Sequence, residues 1–294
     1  MGKIKKGVIA AGGRGTRFLP VVKAYPKELL PLLNKPNLQY LVEEMVGAGI
    51  KEIAIIERPG ETAFRRYFTP DKKLAAFLKK NHKTDYLESL QKIWQSAKIV
   101  FIPQPEDLPY GNASPVLAAE KFLAGQPFVY MYGDDLVFEE KPGSFLSHLL
   151  EVFQKYNPGL VMGVQEVPWS EIDRYGSVAY KKSALPNQVE ALLEKLPSSQ
   201  APSNKAAFGR FVVSSKMFSI LHRQKVTRAQ ELWFADAVNT LAKKDLVIAE
   251  PIKQGEWLTT GDPLRWLKAN LVLGFKDKDL QKELKEFLAG LKML

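Results

Sequence analysis

The sequence contains no cysteine, which excludes disulfide frameworks, thiol nucleophiles and thiolate metal sites and fits a reducing compartment. Histidine is scarce: His82, His148 and His222 are the three copies, and no two stand at ligand spacing. Any metal must therefore be held mainly by oxygen ligands. There is no run of about 18 apolar residues, so no segment reads as a membrane-spanning helix. Behind the basic N-terminal residues, the apolar run Gly7 to Ala11 is cut by glycines and Arg14, too short for the apolar core of a secretory signal. A cytoplasmic protein with no membrane partner is the expectation. Internal repeats and low-complexity tracts are also missing, and the Pro197 to Ser203 stretch is too short for a domain linker.

What is present is ordinary globular material, with 46% hydrophobic and 25% charged residues over 294 positions. Such a length is about two average domains or one large α/β domain. The expectation is a single domain over 1–294, with 263–294 as a C-terminal helical segment. Basic residues outnumber acidic ones, 42 to 32, for a net charge of +10, which favours anionic partners. The surplus lysines are spread along the chain, and no compact basic stretch carries interleaved stacking aromatics. On charge alone, nucleic acid and a phosphorylated small molecule are both candidate partners beside the plain reading of surplus surface lysine; the lack of such a motif argues against nucleic acid, and none is expected.

Hydrophobic patterning alternates between short apolar runs and helical periodicity. Val8 to Ala11, Ile53 to Ile56, Ile99 to Ile102, Phe128 to Tyr132, Leu160 to Val164, Ser177 to Tyr180, Phe211 to Val213 and Leu246 to Ala249 read as strands. Between them, Leu38, Leu41, Val42 and Met45 share a helix face that Asn37 would cap and Gly49 would stop. Two helices are expected in 61–98, and one each over Ala113 to Leu123, Phe145 to Tyr156 and Glu231 to Lys243. A further helix starts at Pro263, and a final one carries the stripe Leu280, Leu284, Phe287, Leu288 and Leu291. The order predicts an α/β fold with a mostly parallel central sheet flanked by helices.

The chemistry-bearing residues gather at strand ends. Gly12-Gly-Arg-Gly-Thr-Arg17 follows the first strand, where glycines let backbone N–H groups approach phosphate oxygens. It is not a Walker loop, and Phe18 stands where the dinucleotide fingerprint has its last glycine. Thr16 and Arg17 add a hydroxyl and a permanent charge suited to a polyphosphate. Pro26-Lys-Glu-Leu-Leu-Pro31 then holds Lys27 between two prolines as a rigidly placed point charge. Asp134 ends the Phe128 to Tyr132 strand, where a carboxylate can hold Mg²⁺ or serve as a plain turn residue. The neighbouring Asp135 carries the same two readings.

The Gly7 to Pro36 run, GVIAAGGRGTRFLPVVKAYPKELLPLLNKP, closely resembles the signature of sugar-1-phosphate nucleotidylyltransferases. Weaker matches follow at Gln104 with Gly111, Gly133-Asp134-Asp135, Tyr175-Gly176, Glu194-Lys195, the run from Ser203, and Glu231 with Asp236. The resemblance implies a Rossmann-like nucleotide-diphospho-sugar transferase fold in which Ala11, Gly12, Gly13, Gly15 and Thr16 hold a nucleoside triphosphate. It makes Arg17 and Lys27 catalytic and gives Gln104, Gly111 and Asp134 to the nucleotide, with Asp134 also the Mg²⁺ ligand. Gly176, Glu194 and Lys195 would hold the sugar phosphate. The Pro-Lys-Glu-Leu-Leu-Pro form is most similar to the branch that joins UTP to glucose 1-phosphate, giving UDP-glucose and pyrophosphate. A thymidylyltransferase and a non-catalytic nucleotide-sugar-binding homologue are the alternatives. The family also implies a homo-oligomer. Two departures stand out: Thr259 replaces the aspartate expected in Trp257-Leu-Thr-Thr-Gly261, and Leu196 separates Lys195 from Pro197. Asp262 is read first as the cap of the helix at Pro263 and second as a replacement metal ligand, directly or through water.

Overall fold

The computed structural model describes residues 2–226 and 230–291. Its centre is a nine-stranded sheet. Lys98–Pro103, Glu52–Glu57, Lys6–Ala10 and Phe128–Tyr132 lie side by side, all parallel. Lys205–Val213 then runs the opposite way. One of its sides pairs with Leu160–Glu166, which carries the parallel strand Val247–Pro251. Its other side is shared between Phe128–Tyr132, through residues 210–213, and Gly176–Tyr180, through Ala206 and Ala207. Val189–Glu194 closes that edge antiparallel to Gly176–Tyr180. All but two of the nine strands therefore point the same way, the exceptions being Lys205–Val213 and Val189–Glu194.

The two-residue period of a strand sends alternate side chains to opposite faces, and the core divides accordingly. Val8, Phe128 and Tyr130 pack on one face with Val116, Phe218, Phe234 and Val238. Ile9, Val129 and Met131 pack on the other with Leu38, Leu41, Met45, Leu149 and Phe153. Helices thus cover both faces, which leaves the carboxyl ends of the strands as the open edge.

Several expected elements differ in detail. Asn37 does not cap its helix: Asn37–Gly47 begins at that residue, and the side-chain amide donates instead to the Gly133 carbonyl at 2.7 Å. Gly49 does follow the helix end with φ of 89°. Region 61–98 holds three helices, Ala63–Phe68, Lys72–Lys80 and Thr84–Gln95. Ala113 to Leu123 is split at Ala119 into Ser114–Ala118 and Glu120–Leu123. The helix expected from Glu231 starts at Phe234. Helix Pro263–Lys276 docks on a separate small core formed by Leu32, Leu136, Ala269 and Leu273. Among the described residues no helix is long and apolar enough to cross a membrane.

Candidate active site

A cleft of about 1050 Å³ opens at the carboxyl ends of the parallel strands. Gly12, Gly13, Arg14 and Arg17 line it, together with Lys27, Arg58, Gln104, Gly111 and Asp134. A second cavity of about 460 Å³ adjoins it, lined by Tyr175, Gly176, Glu194, Lys195, Thr259 and Arg265. Arg17, Asn112, Tyr132, Asp134, Lys195 and Trp233 border both. The spacing of the sequence motifs thus converges on one bipartite site.

The glycine loop is the meeting point. A Cβ at Gly12 would lie 3.3 Å from Gln104 Oε1, and one at Gly13 would lie 3.8 Å from Lys27 Cε. Gly15 has φ of +61°, a conformation glycine adopts without strain, and its missing side chain leaves room for Lys27 Cδ at 3.4 Å. Ala11, Gly15 and Thr16 do not border either cavity. Ala11 is buried, and its N–H donates to Ile56 O at 2.9 Å; Thr16 opens a short 3-10 turn, Thr16–Phe18.

Lys27 donates to Asp134 Oδ2 at 2.6 Å, bridging residues far apart in sequence. Burial alone would lower the affinity of this ammonium for its proton, but Asp134 and then Glu28 outweigh it and hold Lys27 above the usual lysine range. Burial likewise pushes the Asp134 carboxyl up, and Lys27, aided by Arg17, brings it below the ordinary aspartate range. Asp134 retains 30% side-chain exposure. Thr260 clamps the backbone behind it, donating through N–H and Oγ to the Asp134 carbonyl at 2.7 and 3.0 Å. Arg17 Nη1 donates to Gly261 O at 3.3 Å. The Trp257 to Gly261 segment therefore stands beside Asp134, with Thr259 on the wall of the second cavity.

Asp135 is a brace. Its carboxyl accepts from Gly209 N–H at 2.9 Å and from Trp257 Nε1–H at 2.8 Å, and burial with the neighbouring Asp134 charge pushes it up to about 6. Asp262 caps Pro263–Lys276, accepting from Arg265 N–H at 3.1 Å and Arg265 Nη1 at 2.7 Å. In the second cavity, a Cβ on Gly176 would lie 3.1 Å from Glu194 Oε1, so the glycine keeps that carboxylate's place. Lys195 takes a left-handed φ of 52° and sets Nζ 5.1 Å from the Trp233 ring centroid. Asp236 of the weaker matches faces neither cavity, whereas Glu231 lines the larger.

Sequence reasoning missed Arg58, Glu28 and Trp233. Arg58 directly follows strand Glu52–Glu57 at the sheet's carboxyl edge, a position that could have flagged it. It is pinned by Glu61 at 3.0 Å. Gly111 is required for packing as well as for the cleft. Its φ is 137°, and a side chain there would collide with the backbone of Leu232.

The Nucleotidyl transferase family model matches residues 6–274. The chain belongs to this family. It is 36% identical to the UTP--glucose-1-phosphate uridylyltransferase of Bacillus subtilis (strain 168), over 99% of this chain and 98% of that protein. A structure described as UTP-bound UGPase from Acinetobacter baumannii matches with a TM-score of 0.87 and 30% identity, covering 98% of this chain and 100% of the other. A UDP-glucose pyrophosphorylase complexed with UDP-glucose gives a TM-score of 0.83 at 28% identity, covering 93% of this chain and 100% of its own.

Proposed function

We propose that the chain transfers the uridylyl group of UTP to glucose 1-phosphate, giving UDP-glucose and pyrophosphate. The observation that carries this reading is the pair of adjoining cavities that share Arg17, Asp134 and Lys195. One has the glycine loop, Lys27 and Gln104 for a nucleotide; the other has Gly176, Glu194 and Lys195 for a sugar phosphate. Relatives that handle UTP and UDP-glucose support the choice of substrates.

A phosphomonoester has a second pKa of about 6, so the attacking oxygen of glucose 1-phosphate is already ionised near neutrality and no strong base is required. That oxygen bonds to the α-phosphorus of UTP, the bond from α-phosphorus to the bridging oxygen breaks, and pyrophosphate leaves with the electron pair. The protein's work is positioning and charge. Lys27 and Arg17 offset charge on the α-phosphate and departing pyrophosphate, the glycine loop brings its backbone donors close, and Gln104 offers donor and acceptor to the pyrimidine edge. Lys195 meets the sugar phosphate, and Glu194 accepts from sugar hydroxyls.

The donor set fits Mg²⁺. Asp134 supplies one partly exposed carboxylate, and Mg²⁺ commonly takes one or two carboxylates with substrate phosphates supplying the rest. Among the described residues no cluster of three or more acidic, His or Cys side chains could hold a metal alone, so the ion would be held jointly with the nucleotide. It would supply charge neutralisation at the phosphates. We place the reaction in the cytoplasm, in keeping with the lack of cysteine.

The test is pyrophosphate release from glucose 1-phosphate with Mg²⁺ and each of UTP, dTTP, ATP, CTP and GTP. The expected result is release with UTP above the others. Preference for dTTP would overturn the uridylyl assignment. Silence with all five in folded, UTP-binding protein would overturn the transfer to glucose 1-phosphate.

A further inference from the structure

Glu28 is a buried acid that the transfer chemistry leaves without a task. Its side chain has 0% exposure and borders the cleft, yet neither carboxyl oxygen has a hydrogen-bond partner. Buried acceptors without partners are destabilising and rarely persist without a reason. Lys27 Nζ lies 3.9 Å from Glu28 Oε1, but that ammonium is engaged by Asp134 at 2.6 Å. Lys27 thus stands between two carboxyl groups and satisfies only one.

The arrangement poses a conflict at Asp134. The Oδ2 atom that Lys27 occupies belongs to the carboxylate assigned to the divalent cation, and an ammonium and a dication at the same oxygen repel. We propose that Glu28 is the alternate seat of Lys27: when the nucleotide-borne cation takes Asp134, the ammonium shifts onto Glu28 and stays in the cleft facing the triphosphate. This rests on the reading of Asp134 as the metal carboxylate and Lys27 as the phosphate contact.

The movement is short. Closing 3.9 Å to a charge-assisted hydrogen bond of about 2.8 Å asks roughly 1 Å of the ammonium. Nothing on the glycine loop blocks it, because Gly13 and Gly15 present no side chains to the lysine stem. Lys27 and Glu28 share one 3-10 turn, Lys27–Leu29, flanked by Pro26 and Pro31, so the two groups keep their spacing while the proton-bearing end moves. In the empty site Lys27 guards Asp134 against stray cations; in the loaded site Glu28 keeps the displaced charge at the phosphates. Glu28 is a positioning residue that acts through Lys27.

The test is binding of Mn²⁺ to the protein saturated with UTP, with no sugar phosphate, read as free Mn²⁺ by electron paramagnetic resonance. It uses the parent, Glu28→Gln, Lys27→Gln, the double variant and Asp134→Asn. Glu28→Gln is expected to weaken Mn²⁺ binding roughly tenfold when Lys27 is present and less than about twofold when Lys27 is already Gln, since no ammonium then needs a seat. Equal losses in both backgrounds would mean that Glu28 acts only as a nearby negative charge and would overturn the exchange, as would no loss at all. If Glu28→Gln does not fold, Glu28→Asp, which retracts the carboxyl by one methylene, replaces it under the same criterion. Loss of Mn²⁺ binding in Asp134→Asn is the control. Retention there would refute the metal reading itself, an outcome distinct from failure of the exchange alone.

Discussion

At the scale of single residues, the role proposed for Lys27 distinguishes binding from chemistry. Its ammonium is held by Asp134 at 2.6 Å beside the glycine loop, where the proposed transfer would build charge as pyrophosphate departs. Lys27→Ala should lower kcat roughly 100- to 1000-fold while raising the KM for UTP far less, as steady-state kinetics would read; equal losses would contradict the role. Two other groups set a pH dependence of stability. Burial holds Glu28 up at about 7 against 4.5, and burial with the Asp134 charge holds Asp135 up at about 6 against 3.8. Between those values the folded protein keeps protons that the unfolded chain has released, so stability falls as pH rises through the interval. Denaturation midpoints of the unliganded protein should therefore drop from pH 5 to pH 8, and Glu28→Gln should flatten the upper part of that slope. Asp134 acts oppositely, but its loss of stability begins only as pH falls below its ordinary 3.8. Lys27, Gly12 and Asp134 were legible as cleft residues because each sits at a strand end or in a turn whose local chemistry stands out in the sequence, whereas Gln104 was reached only through the family resemblance. Asn37 was misread as a cap because its partner, the Gly133 carbonyl, lies in a turn that no local pattern connects to it.

At the scale of elements, the turn that carries Asp134 is fixed by a buried ion pair. Arg210, fully buried on strand Lys205–Val213, meets Glu44 of helix Asn37–Gly47 through two bonds of 2.7 Å, and also donates to the Asp135 carbonyl at 2.8 Å. Glu44→Gln would leave a buried guanidinium uncompensated. It should cost about 3–5 kcal/mol in urea denaturation and reduce kcat through the loosened turn, whereas a loss below 1 kcal/mol would show the pair to be dispensable. Most strands were legible from their short apolar runs, but Lys205–Val213 was seen only over its last three residues. Its apolar run is interrupted by Gly209 and Arg210, because Gly209 makes room for Tyr132 and Arg210 reaches Glu44. The single helix read from Ala113 to Leu123 breaks at Ala119, whose N–H is shared between the Pro115 and Val116 carbonyls at 3.2 Å each, a local tightening that apolar periodicity does not reveal.

At the scale of the whole molecule, the parallel α/β plan followed from alternating patterns, and the joining of two cavities did not, since it depends on where distant turns meet. The C-terminal stripe is now placed on helix Gln281–Gly290 and its flanks, with Leu280 45% and Phe287 62% exposed. Leu284 packs toward Gly274 of helix Pro263–Lys276, and we propose the exposed Leu280 and Phe287 as the contact of a homo-oligomer. Removing residues 277–294 should shift the particle to monomer in sedimentation while leaving the sheet's circular dichroism intact; an unchanged size would move the contact elsewhere. The long antiparallel strand has a final consequence for how the protein is made. Phe128–Tyr132 and Leu160–Glu166 both pair with Lys205–Val213, so until residue 213 leaves the ribosome each of these apolar strands has a bare edge. The nucleotide motif is synthesised early, yet its floor cannot close until that late strand arrives. The growing chain therefore passes through a long interval in which two apolar strands lack their partner, the stage at which it is most exposed to aggregation.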